Sequence, residues 1–121
     1  TFLNGPALLN PQLSLKTHPN VFFAGQITGV EGYMESTAMG ILAARQIAAA
    51  LENRVESPPS PDTMMGALIR YITETESSTF QPMNANFGLL NAPEKKMSKS
   101  DRKTWYAERA LKKATQYADQ V

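Results

Sequence analysis

The amino-acid sequence predicts an α/β chain: one buried strand, a glycine-rich turn and a long helix, followed by a mainly helical tail. Three observations carry that expectation. Val21-Phe22-Phe23-Ala24 is continuously apolar between Pro19-Asn20 and Gly25, the pattern of a parallel strand covered on both faces. Gly25, Gly29 and Gly32 then crowd a short stretch and mark a turn. Apolar residues at helical spacing resume after it and recur twice further along.

The elements are expected in the following order. Pro6, Pro11 and Pro19 punctuate the first twenty or so residues, so loops are expected there, with at most one short strand at Gln12–Leu15. After the glycines, Ser36 or Thr37 is expected to cap a helix running to about Asn53. Its apolar residues, among them Ala38, Ile41, Leu42, Ala44 and Leu51, nearly encircle it, which predicts a mostly buried helix. Residues 57–61, Ser-Pro-Pro-Ser-Pro, read as a stiff linker. Ser60 as cap and Pro61 in the first helical position start a second helix, with Met65, Leu68, Ile69 and Ile72 on one face. Residues 75–93 return to loop. A third helix follows Ser98 or Ser100, with an apolar stripe of Ala107, Ala110, Leu111, Ala114 and Ala118 and a Glu108–Lys112 pair on its wet side. One strand and three helices bury little core by themselves. The chain also opens in mid-pattern at Thr1-Phe2-Leu3, so a piece of a longer polypeptide is expected.

Composition narrows the chemistry. With 121 residues there is room for one small domain, and 42% hydrophobic against 19% charged residues is an ordinary globular balance. The absence of cysteine removes disulfides, thiolate metal sites and a cysteine nucleophile from this chain. His18, the one histidine, cannot build a zinc site, and a solvent-exposed loop position is expected for it. The apolar stretch from Ile41 to Leu51 is too short to span a bilayer, and no signal peptide is read. Net charge is +1 but unevenly spread: residues 1–92 carry four basic and seven acidic residues, residues 93–121 eight basic and four acidic. A basic tail on a slightly acidic body points to a partner with phosphates only if that face is not simply solvated.

The stretch from Val21 to Leu51 carries the most chemistry. A strand, a glycine turn and a helix form a nest of backbone N–H groups at a positive helix end, a place for an anion or an electron-rich ring. The glycine spacing is not G-x-G-x-x-G, so the pyrophosphate fingerprint is absent, and an ordinary strand-to-helix turn remains the alternative. Phe80–Leu90 has no periodicity. It reads either as a packed surface loop whose amides bond its own backbone or as the wall of an active site. Lys96-Met-Ser-Lys-Ser100 spells the signature loop of class I aminoacyl-tRNA synthetases, but the histidine motif that loop works with has no counterpart here.

Phe22-Phe-Ala-Gly-Gln-Ile-Thr-Gly-Val-Glu-Gly-Tyr33 resembles the C-terminal flavin-contacting motif of the folate- and FAD-dependent tRNA (uracil-5-)-methyltransferases. Thr1-Phe-Leu-Asn4, Pro19-Asn20, Ala67-Leu68, Tyr71-Ile72 and Gln81-Pro-Met-Asn-Ala-Asn-Phe-Gly-Leu-Leu90 resemble the same family in the same order. The resemblance implies the C-terminal part of an FAD-binding Rossmann-type flavoprotein. Residues 1–56 would close the FAD-binding domain, 57–93 would be a linker, helix and loop packed on it, and 94–121 a basic helical tail. It implies a cytoplasmic enzyme that methylates the T-loop uridine of tRNA, with carbon from methylenetetrahydrofolate and reduction by FAD that NAD(P)H has reduced. G-x-G-x-x-G and reactive cysteines would lie in an N-terminal part of the same polypeptide, so no catalytic residue is expected here. The implied cofactor contacts are Gly25, Gln26, Ile27, Thr28, Gly29, Val30, Gly32 and Tyr33, with Glu31 turned away from the ring and Glu35 complementing its own helix. Lys95, Lys96, Lys99, Arg102 and Lys103 would meet tRNA phosphates, or else form a solvated face. A related flavoprotein family that modifies wobble uridine shares the Gly-Gln block but not the Gln81–Leu90 block. A non-catalytic tRNA-binding or assembly module is the alternative of another class.

Overall fold

The computed structural model describes residues 1–119, and helix dominates them. The α-helices are α1 (Gly5–Leu8), α2 (Tyr33–Leu51), α3 (Met64–Glu74) and α4 (Lys99–Asp119), with short 3-10 turns at Gln26–Thr28 and Phe87–Leu89. Among the described residues, β-pairing is limited to isolated bridges: Leu9 with Leu15, Ser14 with Phe22, and Val30 with Met83.

The strands expected at Val21–Ala24 and Gln12–Leu15 are therefore not formed, and the α/β pattern is not visible in this chain by itself. The Leu15 N–H donates to the Val21 carbonyl and the Phe23 N–H to the Leu13 carbonyl, both at 2.9 Å, which serves one edge of the segment. A buried parallel strand needs partners on both edges and cover on both faces. Here Val21 is exposed and Phe22 to Ala24 are half-buried, because no described segment pairs with the second edge. Helix α1 was not anticipated. Pro6 suits its first turn, where an N–H would have no partner anyway.

Helix α2 begins four to five residues earlier than expected. Gly32 is its N-cap, while Thr37 lies inside the helix with its hydroxyl donating to the Tyr33 carbonyl at 2.8 Å. It is also less covered than expected. Met39, Leu42, Ala43, Gln46 and Ala49 are buried, but Ile41 on the opposite face is 58% exposed. Nothing among the described residues covers that outer face. Helix α3 starts three residues later than expected, because the extended Thr63 supplies the capping hydroxyl to the Gly66 N–H at 3.1 Å. Ser60 instead caps the turn before it, accepting from the Asp62 N–H.

The α3 face expected from spacing does enter the core. Leu68, Ile69 and Ile72 pack with Leu13, Val30, Met39, Leu42, Ala43 and Phe80, so residues of 1–56 and 57–93 share one apolar interior. Each such large side chain contributes about 1.5–3 kcal/mol on burial. A smaller cluster of Ala67, Leu90 and Tyr106, backed by Trp105, seats the start of α4.

The stripe expected on α4 is displaced. Leu111 is 69% exposed, and Ala107, Ala114 and Ala118 are exposed with it. The helix turns Trp105, Tyr106, Arg109 and Tyr117 inward instead, since aromatic rings bury far more area than alanine methyls. Arg109 lies 4.3 Å over the Trp105 ring and pairs with Asp62 at 3.5 Å. At the far end, Arg45 of α2 grips Glu56 through Nη2 at 2.9 Å and Nε at 3.3 Å, and the Tyr117 hydroxyl donates to the same carboxylate at 3.3 Å. Among the described residues no helix is long and apolar enough to cross a membrane.

Candidate functional site

The three glycines of the turn all take positive φ: 85° at Gly25, 91° at Gly29 and 107° at Gly32. At Gly29 the requirement is also steric, because a Cβ there would stand 2.5 Å from Cζ of the buried Phe80. Thr28 is fully buried and its hydroxyl donates to the Gly25 carbonyl at 2.6 Å, which ties the turn to itself. Val30 is a core residue. The Ile27 carbonyl accepts from the Leu3 N–H at 2.7 Å, anchoring the turn to the start of the chain. The side chains of Thr28 and Val30 thus hold the turn in shape, while Gln26, Gly32 and Tyr33 face solvent.

The Phe80–Leu90 segment lies alongside this turn. The Glu31 N–H donates to the Met83 carbonyl at 3.0 Å and the Met83 N–H to the Gly29 carbonyl at 2.9 Å. The Asn84 amide donates to the Glu31 carbonyl at 3.1 Å and reaches the Glu35 carboxylate at 3.4 Å, where the Ala85 N–H also donates. Asn86 accepts from the Gly88 N–H at 2.9 Å, and the Tyr71 hydroxyl donates to the Gln81 carbonyl at 2.7 Å. The loop is packed against the turn: Asn86 bonds the loop's own backbone, as the surface-loop reading expected, while Asn84 bonds the backbone of the turn. Hydrogen bonds from Glu35's own backbone N–H, from Asn84 and from Ala85 hold the Glu35 carboxyl below its ordinary value. Glu35 complements the positive start of α2, as expected, and also fastens a loop about fifty residues away.

One side of the turn stays open. Gly32 has no side-chain cap, and the N–H groups of Gly32, Tyr33 and Met34 carry no hydrogen bond among the described residues. Tyr33 is 97% exposed and Met34 81%. Unpartnered donors at the positive end of a long helix and an adjacent exposed phenol ring suit a planar, electron-rich group, with the Glu35 carboxylate lying against Gly32 at its edge.

The basic residues do not form one cluster. Lys95, Lys96 and Arg102 border a cavity of about 400 Å³ with Pro93 and Met97. Lys99, Arg102 and Lys103 border another of about 300 Å³ with Phe87, Gly88 and Tyr106. The stacking of Phe87 on Tyr106, the inward turn of Trp105 and the contacts of Asn84 escaped the sequence reading. The juxtaposed Trp105-Tyr106 pair after a basic run was the available signal. His18 is an exposed loop residue, its Nδ1 at 2.9 Å from the Thr17 hydroxyl.

Comparison with known proteins adds a family context to this geometry. A family model described as "Glucose inhibited division protein A" matches residues 1–55. Over its whole length the chain is 48% identical to the "Methylenetetrahydrofolate--tRNA-(uracil-5-)-methyltransferase TrmFO" of Syntrophus aciditrophicus, covering 27% of that protein. It is 50% identical over 97% of its length to the protein of the same name from Cereibacter sphaeroides, and 51% identical over 92% to that of Magnetococcus marinus. The chain spans about a quarter of the length of these relatives.

Proposed function

Because the chain is a TrmFO-like segment, we propose that it forms the closing wall of a flavin site in an enzyme that methylates tRNA. The product is 5-methyluridine in the T-loop, with the carbon coming from methylenetetrahydrofolate. FAD reduced by NAD(P)H supplies the reducing equivalents. An N-terminal part of the parent polypeptide carries the dinucleotide-binding sheet and the reactive cysteines, so this segment alone is inactive.

The observation that supports this reading best is the uncapped start of α2. Gly32, Tyr33 and Met34 would direct N–H donors at the electron-rich pyrimidine end of the flavin ring, and such a helix end is worth about 0.3–2 kcal/mol to a negative charge depending on burial. Gly25, Gln26, Ile27 and Gly29 bring backbone and one amide side chain close to the same place, with Thr28 and Val30 fixing the shape from behind. The Tyr33 ring, free of intramolecular contacts that would hide it, flanks the flavin or the folate. Lys95, Lys96, Lys99, Arg102 and Lys103 take tRNA phosphates.

The test uses the full-length parent. Tyr33→Ala should lower flavin occupancy, read by absorbance, and methyl transfer to tRNA, read on the T-loop uridine, with circular dichroism unchanged. Full occupancy and full activity would refute the flavin role of this wall. Modification of the wobble uridine in place of the T-loop uridine would favour the related flavoprotein family, and a parent that never holds flavin would favour the non-catalytic module.

A further inference from the structure

On α4, Lys99, Arg102, Lys103 and Tyr106 fall at i, i+3, i+4 and i+7, which places three cations and an aromatic on one helix face. The Phe80–Leu90 loop completes that face. Phe87 stacks on Tyr106 with ring centroids 5.3 Å apart and planes 14° apart. Tyr106 is thereby buried, whereas Phe87 remains 47% exposed. The two rings and the three cations border a single cavity of about 300 Å³, with the backbone of Gly88 at its edge. No acidic residue lines it, and among the described residues none of the three cations forms an ion pair.

A solvated basic face explains the charges but leaves the exposed ring unexplained. An aromatic face ringed by uncompensated cations is the combination that single-stranded nucleic acid meets: the ring stacks a base and the cations take the flanking phosphates. We propose that Phe87, seated on Tyr106, is a stacking platform for one unpaired base of the RNA substrate, with Lys99, Arg102 and Lys103 binding the phosphates on either side of it. The proposal rests on the tRNA reading and deepens it: the segment engages an unpaired loop here and not only the duplex arms. The loop that meets the glycine turn through Asn84 and Ala85 carries Phe87 two residues later, so one short segment links the base platform to the turn.

The experiment measures binding of the full-length parent to three labelled probes of equal length: single-stranded RNA, duplex RNA, and a single strand made abasic at its centre. Phe87→Leu should weaken single-stranded binding by about tenfold, leave duplex and abasic binding unchanged, and leave the salt dependence unchanged. Phe87→Tyr should restore single-stranded affinity. Lys103→Gln should instead weaken single-stranded and abasic binding alike and flatten the slope of log K against log salt by about 0.7. Equal losses on all three probes for Phe87→Leu would assign the ring to packing and overturn the platform, as would no loss on any. A wild-type parent with no affinity for RNA at all would overturn the tRNA reading and the platform with it. A wild-type parent that binds RNA while Phe87→Leu is silent overturns only the platform.

Discussion

The glycine turn and the basic face of α4 meet the Phe80–Leu90 loop a few residues apart and are built on opposite plans. In the turn, backbone conformation does the work: positive φ at three glycines, a buried Thr28 and a loop bonded through Asn84 and Ala85 leave little freedom. On α4, side chains do the work, projecting from a regular helix that is seated through Trp105, Tyr106, Arg109 and the distant Tyr117. The difference teaches where substitutions act. Changes at the glycines of the turn break the fold before they test the site, whereas changes at the exposed Tyr33 or at the cations of α4 test the site without breaking the fold.

The largest expected effect follows at Gly29. An alanine there would have to adopt φ 91° with its methyl against the Phe80 ring. Backbone strain and overpacking together should cost about 2–5 kcal/mol, seen as a fall in the melting temperature of the parent. Unchanged stability would mean that Phe80 moves aside freely, contrary to its place in the core. At Gly32 the obstacle is the Glu35 carboxylate, 2.5 Å from where a Cβ would sit, together with φ 107°. Gly32→Val should therefore release Asn84 and Ala85 as well as close the open N–H donors, and hydrogen exchange in residues 83–86 should rise.

Smaller effects belong to the α4 anchor. Tyr117→Phe keeps the ring beneath Arg45, 5.0 Å from its guanidinium, and removes only the bond to Glu56, a loss of about 0.5–1.5 kcal/mol. Local opening of the last turns of α4, read by hydrogen exchange, should increase while α2 stays protected. Burial pushes the Tyr117 hydroxyl above its ordinary value of about 10. The anchor is therefore intact below that ordinary value and is lost as pH rises through the higher folded value, with tyrosinate absorbance appearing late for this residue. Smallest is the acid response of Glu35, whose carboxyl is held low. Its contribution is present above the ordinary carboxyl value and is lost as pH falls through the folded one, so the Asn84 side-chain amide signal should shift only in the acid limb.

The two regions also differ in what the sequence disclosed. Helical spacing revealed α2, α3 and α4, and glycine clustering revealed the turn, because both signals are local. The Val21–Ala24 strand failed as an expectation because a strand is a property of its neighbours, and the described residues supply one short antiparallel partner. On α4, counting alanines as an apolar stripe pointed one position away from the true inward face, which Trp105, Tyr106 and Tyr117 set by their area. Nothing local announces that Glu35 meets Asn84 or that Phe87 stacks on Tyr106, since each pair joins distant parts of the chain. The open donors at Gly32 to Met34 were legible only as a possibility, because Ser36 or Thr37 was an equally good cap by residue type.

The central claim is that the open start of α2 lies against flavin, and hydrogen exchange of the full-length parent with and without FAD tests it most directly. Peptides spanning residues 29–36 should gain protection when FAD binds, while those spanning 99–106 on α4 stay as they were. Equal exchange of residues 29–36 in the two states, with flavin bound stoichiometrically, would contradict the account and leave the turn as a structural connection.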